Sequence, residues 1–338
     1  MKRLSSPSAT AGHQDNQGHT GGAHRDWPLA AGLIGGAVAD AIAGDPVRGH
    51  PVAVFGGIMT AVERRVYADR AGPGIAYAAA GVVLGTVPLL GTARATQASP
   101  AGRAAVTAAA TWAVIASRSL AEAARQIGTA LTDWDLARAR DALPRLCGRD
   151  PRDLDPAGIT RAVVESVAEN TSDAIVAPLI WGALAGPAGL TGYRAVNTLD
   201  AMVGHHSPRY ERFGRASARL DDVANWIPAR VTALLAAACA PAVRGRPGTT
   251  WQTARDYGPR HPSPNAGWCE AAFAGALGVR LGGVLSYSGR TEHRPETGTG
   301  RAPQAADIAR AIRLSRAITA SAIGLAPALA VSGSAELR

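Results

Sequence analysis

The chain has 338 residues, of which 47% are hydrophobic and 18% are charged, and its formal net charge is +9. Soluble globular proteins have nearer a quarter of their residues charged, so the composition favours a membrane protein. Lys2 is the only lysine, which leaves any phosphate binding to arginine. The arginines are scattered between apolar segments and form no basic stripe. We therefore expect cytoplasmic loops and no nucleic-acid partner.

Residues 1–26 are polar, rich in glycine, serine and histidine, and show no hydrophobic periodicity. They are predicted to form a disordered leader, followed by a single membrane domain at 27–338. The leader has no apolar core behind a basic start, which argues against a secretory signal. The three cysteines are far apart in the sequence, so neither a Cys-x-x-Cys zinc site nor a disulfide framework is expected.

Apolar segments recur along the rest of the chain, at 29–43, 74–91, 104–117, 174–193, 231–243, 271–288 and 317–334. A membrane-spanning helix needs about 20 apolar residues, and 74–91, 174–193 and 317–334 are the best candidates. Strands are not expected, because apolar and polar residues do not alternate over useful lengths. We predict an all-α, polytopic integral membrane protein with cytoplasm-facing polar loops and helices. The alternative is a soluble all-α protein in which these segments are buried helices.

The first polar block lies just before the apolar segment 174–193. On a helix, Glu165, Glu169 and Asp173 follow one another at intervals of four residues and share one face. Like charges at that spacing destabilise a helix by about 0.2–0.5 kcal/mol per pair, a cost that a bound cation would remove. Mg²⁺ is the natural candidate, because it binds one or two carboxylates and completes its shell with water and phosphate oxygens. The alternative is a solvated face that Arg161 partly neutralises.

The second polar block follows the same apolar segment. Asn197 and Asp200 lie three residues apart, so a helix would place them on one face. A functional pair is one interpretation. A helix cap and turn, with Gly204 ending the helix, is the other.

The third polar block, at 215–230, carries two neighbouring helical stripes. The first stripe consists of Arg215, Arg219, Asp222 and Trp226, and the second of Asp221 and Asn225. Ion pairs within the helix would explain this pattern. Two aspartates and an asparagine at the entry to a membrane segment are nevertheless a dense polar load for a purely structural role.

The fourth polar block is the turn at 261–267, in which two prolines restrict the backbone. Asn265 is suited to cap the helix that starts there. Histidine titrates near neutral pH, so His261 is the group of this chain best suited to proton transfer. A capped turn without further function is the alternative.

Four sequence blocks, taken together, resemble the CobD/CbiB family. They are ESVAENTSDAIVAPL, AVNTLDAMVGH, FGRASARLDDVANWIPARVTALL and HPSPNAGW, in the family's order. The early GDPVRGHPVAVFG and the late GGVLSYSGR and RPETG fit the same family, so the resemblance extends from about residue 29 to about 320. Two departures occur. Cys269 follows Gly-Trp where a proline is expected, and Ser207-Pro208 replaces a more polar pair.

This resemblance implies an integral membrane enzyme of cobalamin biosynthesis. The family is associated with joining aminopropanol, or its O-phosphate, to a propionate carboxyl of adenosylcobyric acid, which gives adenosylcobinamide or its phosphate. ATP is the expected co-substrate and Mg²⁺ the expected cofactor. The implied partners are the corrinoid, the amine and the lipid bilayer, and the implied location is the cell membrane with a cytoplasmic active face. A membrane transporter for a corrinoid or another anionic small molecule is the alternative.

The blocks named by the resemblance supply candidates for three roles. The predicted Mg²⁺ ligands are Glu165, Glu169 and Asp200. The predicted substrate- and phosphate-binding residues are Arg215, Arg219, Asn170, Asp221 and Asn225. The predicted catalytic residues are Asp222, His261, Asn265 and Asn197, with Asp222 or His261 as proton acceptor.

One active site can use both the first and the second block only if they lie at the same end of the segment between them. A straight helix over 174–193 would separate them by roughly 30 Å. Pro178 and the Gly-Pro-Ala-Gly sequence at 186–189 free backbone groups and favour a bent path. We therefore predict that 174–193 dips in and returns, or lies in a cytoplasm-facing cavity.

Overall fold

The computed structural model describes residues 27–45, 49–152, 154–205, 207–287 and 290–336. Side chains are described for all of these except 284–293, 327 and 329–336. The predicted leader at 1–26 lies outside the described residues, and the single domain at 27–338 stays a prediction.

The described residues are mainly helical. The α-helices are α1 (Trp27–Ala43), α2 (Pro51–Val66), α3 (Ala71–Ala95), α4 (Pro100–Val114), α5 (Ser117–Thr132), α6 (Leu136–Ala142), α7 (Pro156–Thr171), α8 (Ala177–Leu199), α9 (Arg215–Ala224), α10 (Trp226–Cys239), α11 (Pro247–Tyr257), α12 (Ala266–Leu277) and α13 (Ala305–Glu336). Two π-helical turns follow α7 and α8, at Ser172–Val176 and Asp200–Gly204. Short 3₁₀ turns occur at Leu143–Arg145, Ala240–Val243 and Gly258–Arg260.

Four helical stretches are long and apolar enough to cross a membrane, namely Ala71–Ala95, Pro100–Thr132, Pro156–Gly204 and Trp226–Val243. They confirm the predicted all-α, polytopic membrane class. The predicted span 317–334 falls on α13, and several of its side chains lie outside the described residues. Large apolar side chains are exposed along the first three helices, as a lipid-facing surface requires: Ile34, Val38, Ile42, Val54, Ile58, Ile75, Val83 and Val87.

A β-hairpin begins within the apolar segment 271–288, so the expectation that the chain has no strands is wrong here. Helix α12 ends at Leu277, and Gly278 has a left-handed φ of 68°. Strand β1 (Leu281–Tyr287) then pairs antiparallel with β2 (Arg290–Thr297), with a register shift between Leu281 and Gly283. The sequence hides these strands because Leu281–Tyr287 has glycines where a strand would alternate.

Helix α7 is surrounded by protein. Its start is fixed by Asp155, whose carboxylate accepts a hydrogen bond from the Gly158 N–H at 2.6 Å, and by a proline at the first helical position. It contacts α5, α12 and α13. From Gly158 to Thr171, Glu169 is the one exposed residue. Apart from Glu169, the acidic face of α7 is therefore covered by protein.

The chain reverses direction within α8. Ala185 and Gly186 leave helical geometry, with φ values of −130° and 62°. Beyond the break the two halves of α8 pack together, because a Cβ on Gly182 would meet Leu190 at 2.8 Å. This confirms that the segment 174–193 folds back on itself. Its position relative to the membrane stays a prediction.

Candidate functional site

The acidic face of α7 forms one wall of the candidate site. Glu165 is buried, Asp173 is half-buried, and Glu169 is accessible although protein surrounds it. Glu169 is thus the carboxylate of this face that solvent reaches most readily. Asp173 lies in the π-helical turn Ser172–Val176, and such turns occur frequently at functional sites.

Asn197 joins the second block to the first and the third. Its side-chain amide lies 3.4 Å from Asp173 Oδ2 and 3.3 Å from Asp221 Oδ1, and it donates to both carboxylates. The reversal in α8 makes this contact possible. Three blocks far apart in the sequence thus meet at one amide group.

Asp221 is held by further hydrogen bonds. Asn225 Nδ2 donates to Asp221 Oδ2 at 3.0 Å, and Tyr193 OH donates to Asn225 Oδ1 at 2.8 Å. Burial raises the pKa of Asp221 to about 6, the hydrogen bonds from Asn225 and Asn197 lower it, and the nearby charges of Asp222 and Glu169 raise it. Burial also raises the pKa of Asp222. These carboxylates therefore form a negative cluster that water shields poorly.

Asp200 lies in the second π-helical turn, Asp200–Gly204. Its carboxylate occupies the space of the Gly204 side chain, since a Cβ on Gly204 would overlap Asp200 Oδ1. Gly204 therefore allows the close approach of this carboxylate to the backbone. The charge of Asp200 acts on Asp173, which places it near the cluster.

Glu165 connects α7 to two other segments. Arg149 forms a buried ion pair with Glu165 Oε2, and the Gly282 N–H donates to Oε1 at 2.7 Å. Both oxygens are thus engaged by the protein, one by the loop before α7 and the other by the start of the hairpin. This arrangement identifies Glu165 as a group that holds segments together.

Glu270, His261 and Arg294 form a second buried group of charges. Glu270 is only 2% exposed, and its Oε2 lies 3.8 Å from His261 Nε2. Arg294 Nη1 lies 3.3 Å from the same ring nitrogen and 3.9 Å from Glu270 Oε1. Burial raises the pKa of Glu270 well above its usual value, and the charges of Glu165 and Glu169 add to the effect.

The remaining predicted residues take several positions. Asn265 donates to the Asp222 carbonyl at 2.8 Å, which connects the fourth block to the third. Asn170 donates to the Ser166 carbonyl at 2.9 Å, within its own helix. Arg215 and Arg219 are exposed on α9, and their proposed role in phosphate binding stays a prediction.

Six further residues lie near these charged groups and are not among the site residues predicted from the sequence. They are Arg149, Asp173, Tyr193, Arg194, Glu270 and Arg294. The sequence does carry a signal for Glu270, because a carboxylate inside an apolar helix is costly and is often functional. For Arg149 and Arg294 the sequence carries no such signal, since the partners of a loop arginine depend on the fold.

The chemistry of the cluster fits Mg²⁺, which prefers carboxylate and amide oxygens. The predicted ligands Glu165, Glu169 and Asp200 do not form a complete metal site in this structure. Among the described residues, no three His, Cys, Asp or Glu side chains stand as a metal-binding group. Glu165 is already paired with Arg149, whereas Glu169 remains accessible to a cation.

The fold and the site define a polytopic helical membrane protein in which a reversed helix brings carboxylate and amide groups into one cluster. The family model described as CobD/Cbib protein matches residues 33–315. The chain therefore belongs to the CobD/CbiB family, and the resemblance seen in the sequence is confirmed.

Relatives named cobalamin biosynthesis protein CobD match most of the chain. The one from Mycobacterium tuberculosis is 50% identical over 297 residues, which is 88% of this chain and 94% of that protein. The one from Chromobacterium violaceum is 41% identical over 280 residues, 81% of this chain and 88% of that protein. The one from Rhodobacter capsulatus is 48% identical over 206 residues, 61% of this chain and 64% of that protein. No solved structure matches the chain.

Proposed function

We propose that this protein acts in cobalamin biosynthesis as an ATP-dependent, amide-forming ligase of the cell membrane. Its substrates would be adenosylcobyric acid and aminopropanol or aminopropanol O-phosphate. The observation that carries the proposal is the meeting of Asp173, Asn197 and Asp221 in one hydrogen-bonded cluster of a CobD/CbiB chain. The relatives are named cobalamin biosynthesis protein CobD, and this name supports a corrinoid as the substrate.

Amide formation from a carboxylate requires that one carboxylate oxygen become a leaving group. ATP can transfer its γ-phosphoryl group to the propionate oxygen, which gives an acyl phosphate and ADP. The amine then attacks the carbonyl carbon, the C–N bond forms, and inorganic phosphate leaves. A base must take a proton from the ammonium before that attack.

The residues of the acidic cluster suit these steps. Mg²⁺, when bound, would neutralise phosphate oxygens, and Glu169 and Asp200 with Asp221 are the groups proposed to hold it. Glu165 was expected to be a ligand as well, but its pairing with Arg149 favours a structural role.

We assign the proton transfer to Asp222. It is half-buried, and a raised pKa brings a carboxylate closer to the value at which it accepts and releases protons efficiently. His261 suits the task less well, because its Nδ1 accepts the Ser263 N–H at 3.0 Å and its Nε2 faces Arg294. Arg215 and Arg219 stay proposed phosphate-binding residues.

A transporter remains the second candidate, because one feature favours it. Transporters hold anionic substrates at helices that break near the membrane midplane, and α8 is broken at Ala185 and Gly186. Transport would move a corrinoid without changing it, whereas a ligase changes its mass.

The test is an assay of detergent-solubilised protein with adenosylcobyric acid, ATP and Mg²⁺. Each of the two amines is supplied in turn, and products are read by mass spectrometry. The ligase predicts a new amide whose formation requires all the components, together with ADP and phosphate. Uptake of corrinoid by proteoliposomes without any amide product would favour the transporter.

A further inference from the structure

An open depression lies in the loop before α7. It has a volume of about 520 Å³ and is lined by the loop Gly148, Arg149, Asp150, Pro151 and Arg152. Small-molecule sites have volumes of roughly 300–1,000 Å³, so the depression can hold part of a nucleotide or a phosphate ester. The proposed ligase must bind the phosphates of ATP, and the proposed phosphate-binding residues Arg215 and Arg219 are both exposed on α9.

Arg149 connects the depression to the acids of α7. It lines the depression and also forms the buried ion pair with Glu165. The base of the β-hairpin adjoins the same place, since the Gly282 N–H donates to Glu165. Arg161 reaches this base as well, because its Nη1 lies 3.4 Å from the position that a Cβ of Gly283 would take.

Arg294 approaches from the second strand of the hairpin. Its guanidinium is held beside His261 Nε2 and Glu270 Oε1, at 3.3 and 3.9 Å, and its side chain is 21% exposed. Arg294 lies opposite Gly283 across the hairpin, next to Gly282, whose N–H donates to Glu165. The charges of Arg294 and Arg149 both act on Glu169. Guanidinium groups suit phosphate oxygens, and an accessible carboxylate suits the divalent cation that accompanies them.

We propose that the loop Gly148–Arg152, Arg149 and Arg294 form a phosphate-binding site, with Glu169 at its inner end. This proposal rests on the proposed function and deepens it. The ligand is a phosphate-bearing substrate, either ATP or the O-phosphate of the amine. Arginine suits this role because its planar guanidinium can donate two parallel hydrogen bonds to phosphate oxygens.

The test is ligand binding by purified protein, measured by calorimetry without turnover. The ligands are MgATP and, separately, aminopropanol O-phosphate with Mg²⁺. The variant is Arg294→Gln, and we expect its dissociation constant for one ligand to rise roughly 10- to 100-fold, as loss of a charge-assisted bond predicts. The ligand that is affected identifies the source of the phosphate.

Two further variants make the result specific. Arg280→Gln is the matched control, because Arg280 lies at the base of the same hairpin and pairs with exposed Glu296 at 3.4 Å. It should bind both ligands like the wild type. Arg294→Lys keeps the charge but not the planar group, so it should fold and still bind weakly.

Unchanged binding of both ligands by folded Arg294→Gln and Arg294→Lys would overturn the proposal, as would an equal loss in Arg280→Gln. The binding readout also separates this proposal from the ligase function. If the wild type binds MgATP, Arg294→Gln binds it roughly 10- to 100-fold more weakly, and neither protein forms an amide, the phosphate site stands and the proposed function fails.

Discussion

Asn197 donates a hydrogen bond to Asp173 at 3.4 Å, although 24 residues separate them. A straight helix of that length would place them about 36 Å apart. The contact exists because α8 reverses at Ala185 and Gly186. The reversal thus brings the block that contains Asp173 and the block that contains Asn197, which are separate in the sequence, into one site.

Gly186 should be essential to this reversal. Its φ of 62° and ψ of −151° lie in a region that is almost restricted to glycine, although nothing lies within 4 Å of a Cβ there. Gly186→Ala should therefore lower the free energy of unfolding by about 1–3 kcal/mol through backbone strain alone. The measurement is thermal unfolding in detergent.

Gly324→Ala is the control, since Gly324 lies in α13 with open space around it, and alanine should be neutral or stabilising there. Equal effects of the two substitutions would contradict this account of Gly186.

The reversal also predicts a membrane topology. The loop that carries Asp150 and the turn that carries Ser207 should lie on the same side of the membrane. The first reaches the acids of α7 through the ion pair of Arg149 with Glu165, and the second follows the turn Asp200–Gly204 at the cluster. Single cysteines at these two positions, in a background in which Cys147, Cys239 and Cys269 are alanine, can be labelled with a membrane-impermeant reagent. We expect both to react from the cytoplasmic side. Reaction from opposite sides would refute the shared face.

Glu165 and Glu169 should respond differently to the same substitution. Glu165→Gln removes the carboxylate from the buried ion pair with Arg149, so it should destabilise the protein by about 3–5 kcal/mol. Glu169→Gln should leave the unfolding midpoint nearly unchanged but reduce amide formation at least 100-fold. Both quantities can be measured on the same preparations. If both residues were metal ligands without a structural role, Glu165→Gln and Glu169→Gln would both be stable and inactive, and that result would contradict the prediction.

Asp221 should make stability depend on pH. Its pKa is raised from 3.8 to about 6 by burial. The folded state therefore holds this proton more tightly than the unfolded state, and the stabilisation is complete below pH 3.8 and lost as pH rises through about 6. Unfolding midpoints measured without Mg²⁺ between pH 4.5 and 7.5 should fall, and Asp221→Asn should reduce that fall. Asp69→Asn, at an exposed carboxylate opposite Arg212, should keep the wild-type slope. A slope unaffected by Asp221→Asn would exclude this carboxylate as its source.

Much of the helical framework could be predicted from hydrophobic runs, because a lipid-facing or buried helix needs continuous apolar sequence. The acids of α7 could be placed on one face from their spacing, and Pro178 with the glycines at 186–189 indicated the reversal. These features depend on residues that are close together in the sequence, so one sequence is enough to predict them.

The missed features depend on contacts between distant segments. The strand Leu281–Tyr287 continues an apolar run, and only its pairing with Arg290–Thr297 distinguishes it from a helix. Glu270 was overlooked because its neighbours in the sequence are apolar, and its partners His261 and Arg294 come from other elements. Arg149 likewise acquires its role from Glu165, which α7 presents to it.

The central claim is that the carboxylates gathered at Asn197 belong to the active site of an amide-forming enzyme. The most direct measurement is the initial rate of amide formation by Asp173→Asn, compared with the wild type and with Asp69→Asn, per amount of folded protein. Replacing Asp173 by its neutral isostere keeps the size of the side chain and removes its charge. We predict a rate at least 100-fold below wild type, within the range of roughly 10²–10⁴ that positioned catalytic groups contribute, and an unchanged rate for Asp69→Asn. A folded Asp173→Asn protein whose rate stays within about twofold of wild type would contradict the claim.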